Sequence, residues 1–281
     1  FDSNGGSYVP MIVAGRDAAI TAPADPTRQG YTFAGWYSDR ALRQSYAIPA
    51  VMPAFSGTKG MMLYAKWEPA HDTPYRVEHY LQELNGTYTK ASDDLRTGTT
   101  LEETAVVPRT GTVDGVNYDN YACAGVTQQT IKADGSAVVR VYYERKSYDV
   151  TFTYGTFRSA ELPDIVYTIK YGGTAYAPAL ALQGYTFEGF EGFTADAQSG
   201  GMAVTGDMSF AAQWTPRDDT PYRIERYAQR VDGVEGYLLI DDERAIESRT
   251  GTTGSAIDFG AWSKDGFTYD HAEVNGSTVS S

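Results

Sequence analysis

The stretch Asp72–Tyr80, which reads Asp-Thr-Pro-Tyr-Arg-Val-Glu-His-Tyr, decides the fold because it occurs twice. Asp219–Tyr227 reads Asp-Thr-Pro-Tyr-Arg-Ile-Glu-Arg-Tyr, 147 positions later. After the proline, the side chains alternate in period two, which is the pattern of a β-strand. A duplication of this length indicates a chain built from modules rather than around one catalytic cleft.

Shorter motifs on both sides of this stretch recur in the same order. The pairs are Gly30–Phe33 with Gly184–Phe187, Trp67 with Trp214, Thr97–Thr100 with Thr250–Thr253, and Asp114-Gly115 with Asp265-Gly266. They predict four modules in the order A-B-A-B: A1 covers residues 1–69, B1 covers 72–146, A2 covers 147–216 and B2 covers 219–281. Modules this small bury only about 60% of their unfolded surface, so we expect contacts between neighbours to contribute to stability.

Strand signals dominate every module. Asn85-Gly86 is predicted to be a two-residue hairpin turn after a strand, and Asp232-Gly233 is predicted to repeat it in B2. Helix signals are confined to short stretches, Ser38–Gln44 and Thr99–Thr104, each long enough for a turn or two. An early hairpin, a short helical crossover and a late strand predict a β-rich α+β fold. We therefore expect tandem small β-grasp-like (ubiquitin-like) modules arranged end to end.

The segments that join A to B each contain two prolines, within residues 68–74 and 215–221. Proline fixes φ and favours extended chain, so these segments are predicted to be short semi-rigid spacers. Residues 144–148, between B1 and A2, form a still shorter connection.

Comparison of the copies predicts that the outer modules lack strands. Phe1 aligns with Phe152, which follows Tyr148–Thr151, so about four residues of the A1 first strand are expected to be missing. Only 11 residues follow Asp270, whereas Arg145 lies 26 positions after Asp119, so B2 is expected to lack its closing strand. We expect a monomer in which the truncated ends could pair with another chain through open sheet edges.

Composition excludes several partners and chemistries. With 36 acidic and 23 basic residues, the net charge of −13 argues against binding to nucleic acid or to anionic lipid. No apolar stretch approaches the roughly 20 residues of a membrane span. A single cysteine, Cys123, excludes an intramolecular disulfide and a Cys-rich metal site, and we expect it to be a half-buried core residue.

The motifs of module A resemble a known repeat. Phe1–Gly6 reads Phe-Asp-Ser-Asn-Gly-Gly, Gly30–Tyr37 contains Gly-Tyr-Thr-Phe-Ala-Gly-Trp-Tyr, and the module ends in Tyr64–Trp67. This combination resembles the Listeria–Bacteroides repeat, the B-repeat of internalin-type surface proteins, and implies a β-grasp-like fold. A2 departs from the pattern, since Phe152–Gly155 replaces the opening motif and Phe190 replaces the tryptophan.

Module B, through Tyr75–Tyr80, Asn85–Tyr88 and Val141–Tyr143, resembles the mucin-binding-protein-like (MucBP-like) repeats that alternate with B-repeats. Such alternation is typical of large surface proteins of Gram-positive gut bacteria. The two resemblances imply an extracellular, wall-attached and non-enzymatic role. Neither family supplies a catalytic residue or a cofactor, so none is assigned to this chain.

The titratable residues do not form a recognisable catalytic or metal-binding pattern. His71, His79 and His271 are scattered, and His79 becomes Arg226 in the second copy, which suggests a solvent-facing strand position. The sequence contains no nucleophile elbow, phosphate loop or dinucleotide fingerprint. The acidic pairs, predicted to be solvated turn residues, are Asp93-Asp94, Asp218-Asp219 and Asp241-Asp242.

Two sequons and the repeated aromatic residues are the other candidate sites. Asn85-Gly86-Thr87 and Asn275-Gly276-Ser277 match glycosylation sequons but are predicted to be turns. The lysines do not recur in the two copies, which argues against an isopeptide crosslink. The aromatic residues that could stack on sugars, but that we expect in the cores, are Tyr31, Phe33, Trp36, Trp67 and Trp214. Trp262 lacks a clear counterpart in B1 and is the candidate ligand-binding residue.

These observations favour a non-catalytic stalk or spacer region of a bacterial cell-surface adhesin. One alternative is direct binding of B1 and B2 to host mucin, another glycan or a matrix protein, with duplication supplying avidity. The other alternative is an accessory region of a large secreted enzyme.

Overall fold

The computed structural model describes residues 1–54, 60–232, 234–242, 245–260, 262–275 and 277–279. The chain divides into two compact units, each with one A and one B module: residues 1–147 with 170–173, and residues 148–169 with 174–281.

The described part is β-rich, as predicted, and its only helices are two single 3₁₀ turns, Tyr118–Asn120 and Gly155–Phe157. The strands of the first unit are β1 (Tyr31–Tyr37), β2 (Tyr64–Pro69), β3 (Thr73–Gln82), β4 (Tyr88–Gly98), β5 (Thr112–Val113), β6 (Val116–Asn117), β7 (Tyr121–Ala122) and β8 (Val138–Arg145).

B1 is built on a four-stranded sheet in the order β4-β3-β8-β7. β3 and β4 form an antiparallel hairpin, and the late strand β8 runs parallel to β3 on its other side. The turn between β3 and β4 contains Asn85, whose side chain accepts a hydrogen bond from the Thr87 backbone N–H at 3.0 Å. The predicted hairpin is therefore confirmed, but the two-residue form of its turn is wrong: the Glu83 N–H donates to the Thr87 carbonyl at 2.7 Å, so the loop contains three residues, 84–86.

The predicted alternation of β3 places one face of the B1 sheet in the core. Val77 on β3 and Val139, Val141 and Tyr143 on β8 are buried, while the residues between them face outward. Cys123 is half-buried against this cluster, as expected.

A1 contains the antiparallel pair β1–β2, with a β-bulge between Phe33 and Trp36. Its opening residues pair with the end of the module through a parallel bridge between Asp2 and Tyr64. Trp36 is buried, and Phe1, Phe33 and Trp67 pack around it.

The second unit repeats the plan. Its strands are β9 (Ser147–Thr153), β10 (Ile165–Lys170), β11 (Thr174–Ala175), β12 (Tyr185–Phe190), β13 (Met202–Ala203), β14 (Met208–Pro216), β15 (Thr220–Glu225), β16 (Tyr227–Gln229), β17 (Tyr237–Leu239), β18 (Ile246–Gly251), β19 (Ala272–Val274) and β20 (Ser277–Val279). The A2 sheet has the order β10-β9-β14-β12, and the late strand β14 is parallel to the first strand β9. This is the same arrangement as in B1.

B2 has three two-stranded pairings among its described residues: β15–β18, β16–β17 and β19–β20. β15 and β18 correspond to β3 and β4 of B1. No described strand lies on the free side of β15, where β8 lies against β3 in B1. Gly233 and Gly276, which belong to two of the predicted turns, lie outside the described residues.

The helical part of the fold prediction is not confirmed. Asp39 instead caps a loop within Ser38–Gln44, because its carboxylate accepts the Gln44 backbone N–H at 2.7 Å. Thr99–Thr104 begins with a hydrogen-bonded turn, from the Glu102 N–H to the Thr99 carbonyl at 3.1 Å. The early hairpin and late strand are present, but no α-helix packs on either four-stranded sheet within the described residues. The α+β class and the β-grasp assignment therefore stay predictions.

Phe152 is the centre of the A2 core and provides a test of it. Its fully buried ring contacts Phe190, Phe193 and Phe210, with ring centroids 4.7, 5.7 and 5.4 Å away. We expect Phe152→Ala to lower the free energy of unfolding of the second unit by about 3–5 kcal/mol, because it removes buried contacts and leaves a cavity. Urea unfolding followed by Trp214 fluorescence measures this loss. The exposed Tyr176→Ala is the control, and an equal loss there would contradict the assignment of Phe152 to the core.

Candidate functional site

The repeated motifs meet where A joins B. In the first unit, the carbonyl of Gly30 accepts a hydrogen bond from the Ala70 N–H at 3.0 Å, and the carbonyl of Ala70 accepts one from the Thr100 N–H at 2.9 Å. The hydroxyls of Thr73 and Thr100, both buried, lie 2.6 Å apart. Three separate repeated motifs are thus tied together by a single chain of hydrogen bonds, which we call the A–B junction.

The second unit has the same junction. The Arg217 N–H donates to the carbonyl of Gly184 at 2.9 Å, and the Thr253 N–H donates to the carbonyl of Arg217 at 2.8 Å. Thr220 and Thr253 repeat the hydroxyl pair at 2.5 Å, and the Thr253 hydroxyl also lies 2.7 Å from the Gly184 carbonyl. Duplicated sequence therefore codes for a duplicated connection between modules.

Both junctions require glycine at the start of the Gly-Tyr-Thr-Phe motif. Gly30 and Gly184 have φ values of +75° and +79°, which side chains with a Cβ rarely adopt. A Cβ on Gly30 would lie 2.5 Å from the Cα of Ala133 in B1, and one on Gly184 would lie 2.7 Å from the Thr253 hydroxyl in B2. The glycine allows the two modules of each unit to approach closely.

The predicted proline spacers are largely absorbed into strands. β2 extends to Pro69 and β3 starts at Thr73, so only residues 70–72 lie between the two modules of the first unit. Ala70 is buried and hydrogen-bonded on both sides of its backbone. The linker is consequently held in place by its neighbours and not only by proline.

The prediction that His79 faces solvent is wrong. His79 is fully buried, because it continues the inward phase of Tyr75 and Val77 on β3. Its Nδ1 lies 3.0 Å from the Tyr143 hydroxyl, and its Nε2 lies 3.2 Å from Asp94. Arg109 binds the other oxygen of Asp94 at 2.6 Å and lies over the ring of Tyr118. We call these five residues the buried polar cluster of B1.

The hydrogen bonds of this cluster assign a neutral His79. The Tyr143 oxygen accepts the Arg109 backbone N–H at 2.8 Å, which leaves the hydroxyl proton for Nδ1 of His79. Nε2–H then donates to Asp94. Burial, followed by the charge of Arg109, lowers the pKa of His79. Burial alone would raise the pKa of Asp94, but the His79 hydrogen bond and the charge of Arg109 lower it overall.

B2 carries a cation where B1 carries a histidine. Arg226 replaces His79, and Glu247 replaces Asp94, with 3.2 Å between them. Trp262 is half-buried, and the Arg226 guanidinium lies 5.4 Å from its ring centroid. Trp262, the ligand-binding candidate from sequence, is thus already in contact with the guanidinium of Arg226.

The remaining sequence candidates lie apart from one another. His71 and His271 are exposed, beside Thr99 and Asp270. Asp93 and Asp94 lie on β4 and are not solvated turn residues, since Asp93 pairs with Arg76 while Asp94 points into the cluster. Asp219 pairs with Arg217, and Asp242 lies 4.0 Å from Lys264. The described residues contain no group of three His, Cys, Asp or Glu side chains placed to hold a metal ion.

Phe33, Trp36 and Trp67 pack in the core of A1. Trp67 donates its indole N–H to the Ser3 carbonyl at 2.8 Å, and Trp214 donates to the Tyr154 carbonyl at 3.1 Å. Both rings therefore tie the opening segment of an A module to its last strand. Tyr31 is half-buried under the guanidinium of Arg28.

Comparison with known families agrees with the architecture of the first module. Residues 1–66 match the family model of the Listeria-Bacteroides repeat domain. The match covers nearly all of A1 and includes the motifs that form its half of the A–B junction. Together with the duplicated architecture, the match shows that the chain contains a repeat domain of this kind. The resemblance of B1 and B2 to MucBP-like repeats stays a prediction.

Two longer bacterial proteins are similar to much of the chain. A protein of Evansella cellulosilytica, named as an inferred membrane protein, is 27% identical over 226 residues, which cover 76% of this chain and 32% of that protein. A second protein of the same organism, named as an inferred Gly-rich membrane protein, is 28% identical to this chain over 153 residues. These residues cover 54% of this chain and 17% of the length of that protein. The chain thus spans about a third or less of the length of these relatives.

Among solved structures, one similar chain consists of Streptococcal High Identity Repeats in Tandem (SHIRT) domains 3–4 from a cell surface protein. Its sequence is 14% identical to that of this chain. The alignment covers 51% of this chain and 99% of that one, with a TM-score of 0.20. In the part of the chain that the structure describes, no helix has the length and apolar character needed to cross a membrane.

The close approach at Gly30 generates a prediction for the A–B junction. We expect Gly30→Ala to destabilise the first unit by about 1–3 kcal/mol or more, because the residue must leave its positive φ or displace Ala133. Gly15→Ala is the matched control, since Gly15 is an exposed glycine of the same module and a Cβ there would have nothing within 4 Å of it. Urea unfolding of the three proteins measures the effect. Equal stability of the two variants would show that the junction does not depend on Gly30.

The buried polar cluster predicts that stability depends on pH. Unfolded His79 takes up a proton near pH 6.5, whereas the folded residue, with its lowered pKa, does so only at lower pH. The contribution of His79 to stability is therefore complete above about pH 6.5 and declines as the pH falls from there towards the folded pKa. Urea unfolding at several pH values between 5 and 8 should show this decline in the wild-type chain.

Two variants isolate the contribution of His79. His79→Gln removes the titrating group and should flatten this part of the profile, whatever its effect on stability at pH 8. His71→Gln removes an exposed histidine of the same unit and should leave the profile unchanged. An unchanged profile in His79→Gln would refute the assignment.

Proposed function

We propose that this chain is a spacer region of a bacterial cell-surface protein, in which A–B pairs hold another part of the polypeptide away from the cell. The observation that carries the proposal is the A–B junction, since the same hydrogen bonds join A to B in both units. Repeating the connection between modules lengthens the polypeptide region that they form, whereas a catalytic role calls for a single site. The match of A1 to a bacterial repeat family supports this proposal.

The connection from B1 to A2 favours the same function. β8 ends at Arg145 and β9 starts at Ser147, so one residue separates the last strand of B1 from the first strand of A2. A connection this short leaves little slack along the chain. The net charge of −13 adds self-repulsion, which disfavours collapse of an exposed, crowded surface layer.

Small-angle X-ray scattering of the whole chain tests the spacer. A compact chain of 281 residues would have a radius of gyration of about 19 Å. We expect a value well above this and a distance distribution with a long tail, because a spacer requires modules arranged end to end. A radius near 19 Å with a symmetric distribution would contradict the proposal.

Adhesion to host glycans is a second candidate function, and a cluster of tyrosines on B1 favours it. Tyr80 stacks on Tyr142 with ring centroids 5.0 Å apart, and Tyr88 meets Tyr142 edge-on at 5.2 Å. Tyr142 is exposed on the outer face of the sheet. Glu78 and Glu144 accept hydrogen bonds from the hydroxyls of Tyr80 and Tyr88. Aromatic faces beside carboxylates offer stacking and hydrogen bonds to a sugar.

Binding of the labelled chain to a panel of mucins, glycans and matrix proteins tests the adhesive function. If B1 binds a glycan, Tyr142→Ser should weaken that binding at least about tenfold, because it removes the central ring of the cluster. Tyr176→Ser, a change at an exposed tyrosine of A2, is the control. Trp262→Ser tests the sequence-based candidate in the same assay. Absence of saturable binding across the panel would remove this candidate and leave the spacer.

A further inference from the structure

One edge of the A2 sheet is open and apolar. β10 (Ile165–Lys170) is the outer strand in the order β10-β9-β14-β12, and no described strand lies on its free side. Residues 165–169 read Ile-Val-Tyr-Thr-Ile, which include no charge, proline or glycine and all favour β-structure. Val166 is 51% exposed and Tyr167 is 41% exposed. The strand therefore presents both unpaired backbone groups and apolar side chains to a partner.

The other three edges of the two described four-stranded sheets are protected. β7 of B1 has only two residues, and β12 of A2 is interrupted by a β-bulge between Phe187 and Gly189. β4 of B1 carries four charged residues, Lys90, Asp93, Asp94 and Arg96. Short strands, bulges and charges are the devices by which proteins prevent pairing at a sheet edge. β10 differs from these strands because it is six residues long and uncharged up to Ile169, which singles it out as an interaction surface.

The two faces of β10 have different surroundings. Ile165, Tyr167 and Ile169 face the A2 core, where Ile165 and Ile169 pack against its buried residues. Val166 and Thr168 lie between them in the strand, so they face away from the core, and both are exposed. A strand that pairs with β10 must therefore bring apolar residues to the core-facing side.

The strand is nearly symmetric about Tyr167. An isoleucine stands two positions to each side, and the residues next to Tyr167, Val166 and Thr168, have the same branched shape. A two-fold axis at Tyr167 would place this tyrosine opposite that of a second copy, Ile165 opposite Ile169, and Val166 opposite Thr168. Residues that stand opposite each other in an antiparallel pair share a face, so each core-facing residue would meet another core-facing residue.

Other registers of β10 with a second copy fit less well. A one-position slip would place Ile165 opposite Lys170 and Val166 opposite Ile169, so that core-facing residues would stand beside outward-facing ones. Among the registers that match the faces, the axis at Tyr167 is the one that pairs all five uncharged residues with one another. The sequence of β10 thus specifies a single antiparallel register.

We propose that β10 is a self-association edge, at which two copies of this chain join their A2 sheets by antiparallel pairing of β10 with β10. The occupant is a second copy because the edge presents the same Ile-Tyr-Ile row that it requires from a partner. The pairing joins two four-stranded sheets into one sheet across a two-fold axis. A single strand pair belongs to the class of transient contacts, below about 1,200 Å² of buried surface, so the dimer forms and separates readily.

This self-association goes beyond the spacer function and does not rest on it. The edge lies inside the chain, so the pairing also differs from the one expected at the ends of the sequence. Copies that a surface holds side by side would meet at high local concentration, where even a transient contact joins them. The net charge of −13 on each copy opposes the contact, which therefore depends on apolar and backbone interactions.

Sedimentation velocity of the whole chain up to about 0.5 mM tests the pairing. We expect the sedimentation coefficient to rise with concentration towards that of a dimer, and to rise further at higher salt, because salt screens the repulsion between copies. Val166→Lys should weaken association at least about tenfold, since it places a charge on each side of the two-fold axis. Leu95→Lys is the matched control, because it adds the same charge at an exposed apolar position of the edge strand β4.

Disulfide trapping tests the register. In a Cys123→Ser chain, Val166→Cys and Thr168→Cys each supply one exposed cysteine. Residues directly opposite each other in an antiparallel pair have Cα atoms about 4.5–5.5 Å apart, which a disulfide can bridge. The mixture of the two variants should therefore crosslink at least about tenfold faster than either variant alone.

Three results would overturn the proposal. A chain that stays monomeric throughout would leave the edge to a strand of another protein. A dimer that Val166→Lys leaves intact would show that the copies join elsewhere. Crosslinking of the mixture no faster than of the single variants would refute the register, and this experiment decides the proposal even if Val166→Lys weakens the fold.

Discussion

Parallel pairing between the first and the last strand of a module is the constraint on which the rest of this structure depends. β3 and β8 form this pair in B1, and β9 and β14 form it in A2. Parallel strands cannot be joined by a tight turn, so the chain between them must cross the sheet. That crossing segment supplies the far side of each core, as Val106 and Ile131 do in B1. Because both strands point the same way, the chain leaves a module at the end opposite to the one it entered.

The strands could be predicted from sequence because they rest on local pattern and on comparison of the two copies. The alternation in Tyr75–Leu81 specifies a strand with one buried face, and the Asn85-Gly86 turn specifies a hairpin. The helical crossover was predicted from short segments, in which Asp39 instead closes a loop onto Arg43 and Gln44. The segments between strands carry little periodicity, so sequence gives them no unique form.

The candidate sites were harder to predict, because they depend on contacts between segments far apart in the chain. The A–B junction is visible in sequence as three repeated motifs, but their meeting needs the strand register. The prediction for His79 was wrong although the strand pattern contained the needed information. Its replacement by Arg226 suggested solvent exposure, whereas its phase with Val77 already indicated burial. A charged side chain is acceptable at this inward position because Glu247 and the Trp262 ring satisfy it in B2. Substitution between copies is therefore a weaker guide than strand phase when a polar partner changes with it.

The parallel pairing also has a mechanical consequence. The first and last strands of a module lie side by side and point the same way, so force applied to the two ends of the module acts along the ladder of hydrogen bonds between them. All of these bonds are then loaded at once, in shear, and must break together. In a hairpin pulled from its two ends, they are loaded one after another and open like a zipper. B1 and A2 are thus built to resist stretching along the chain, which is the load that the proposed spacer would carry.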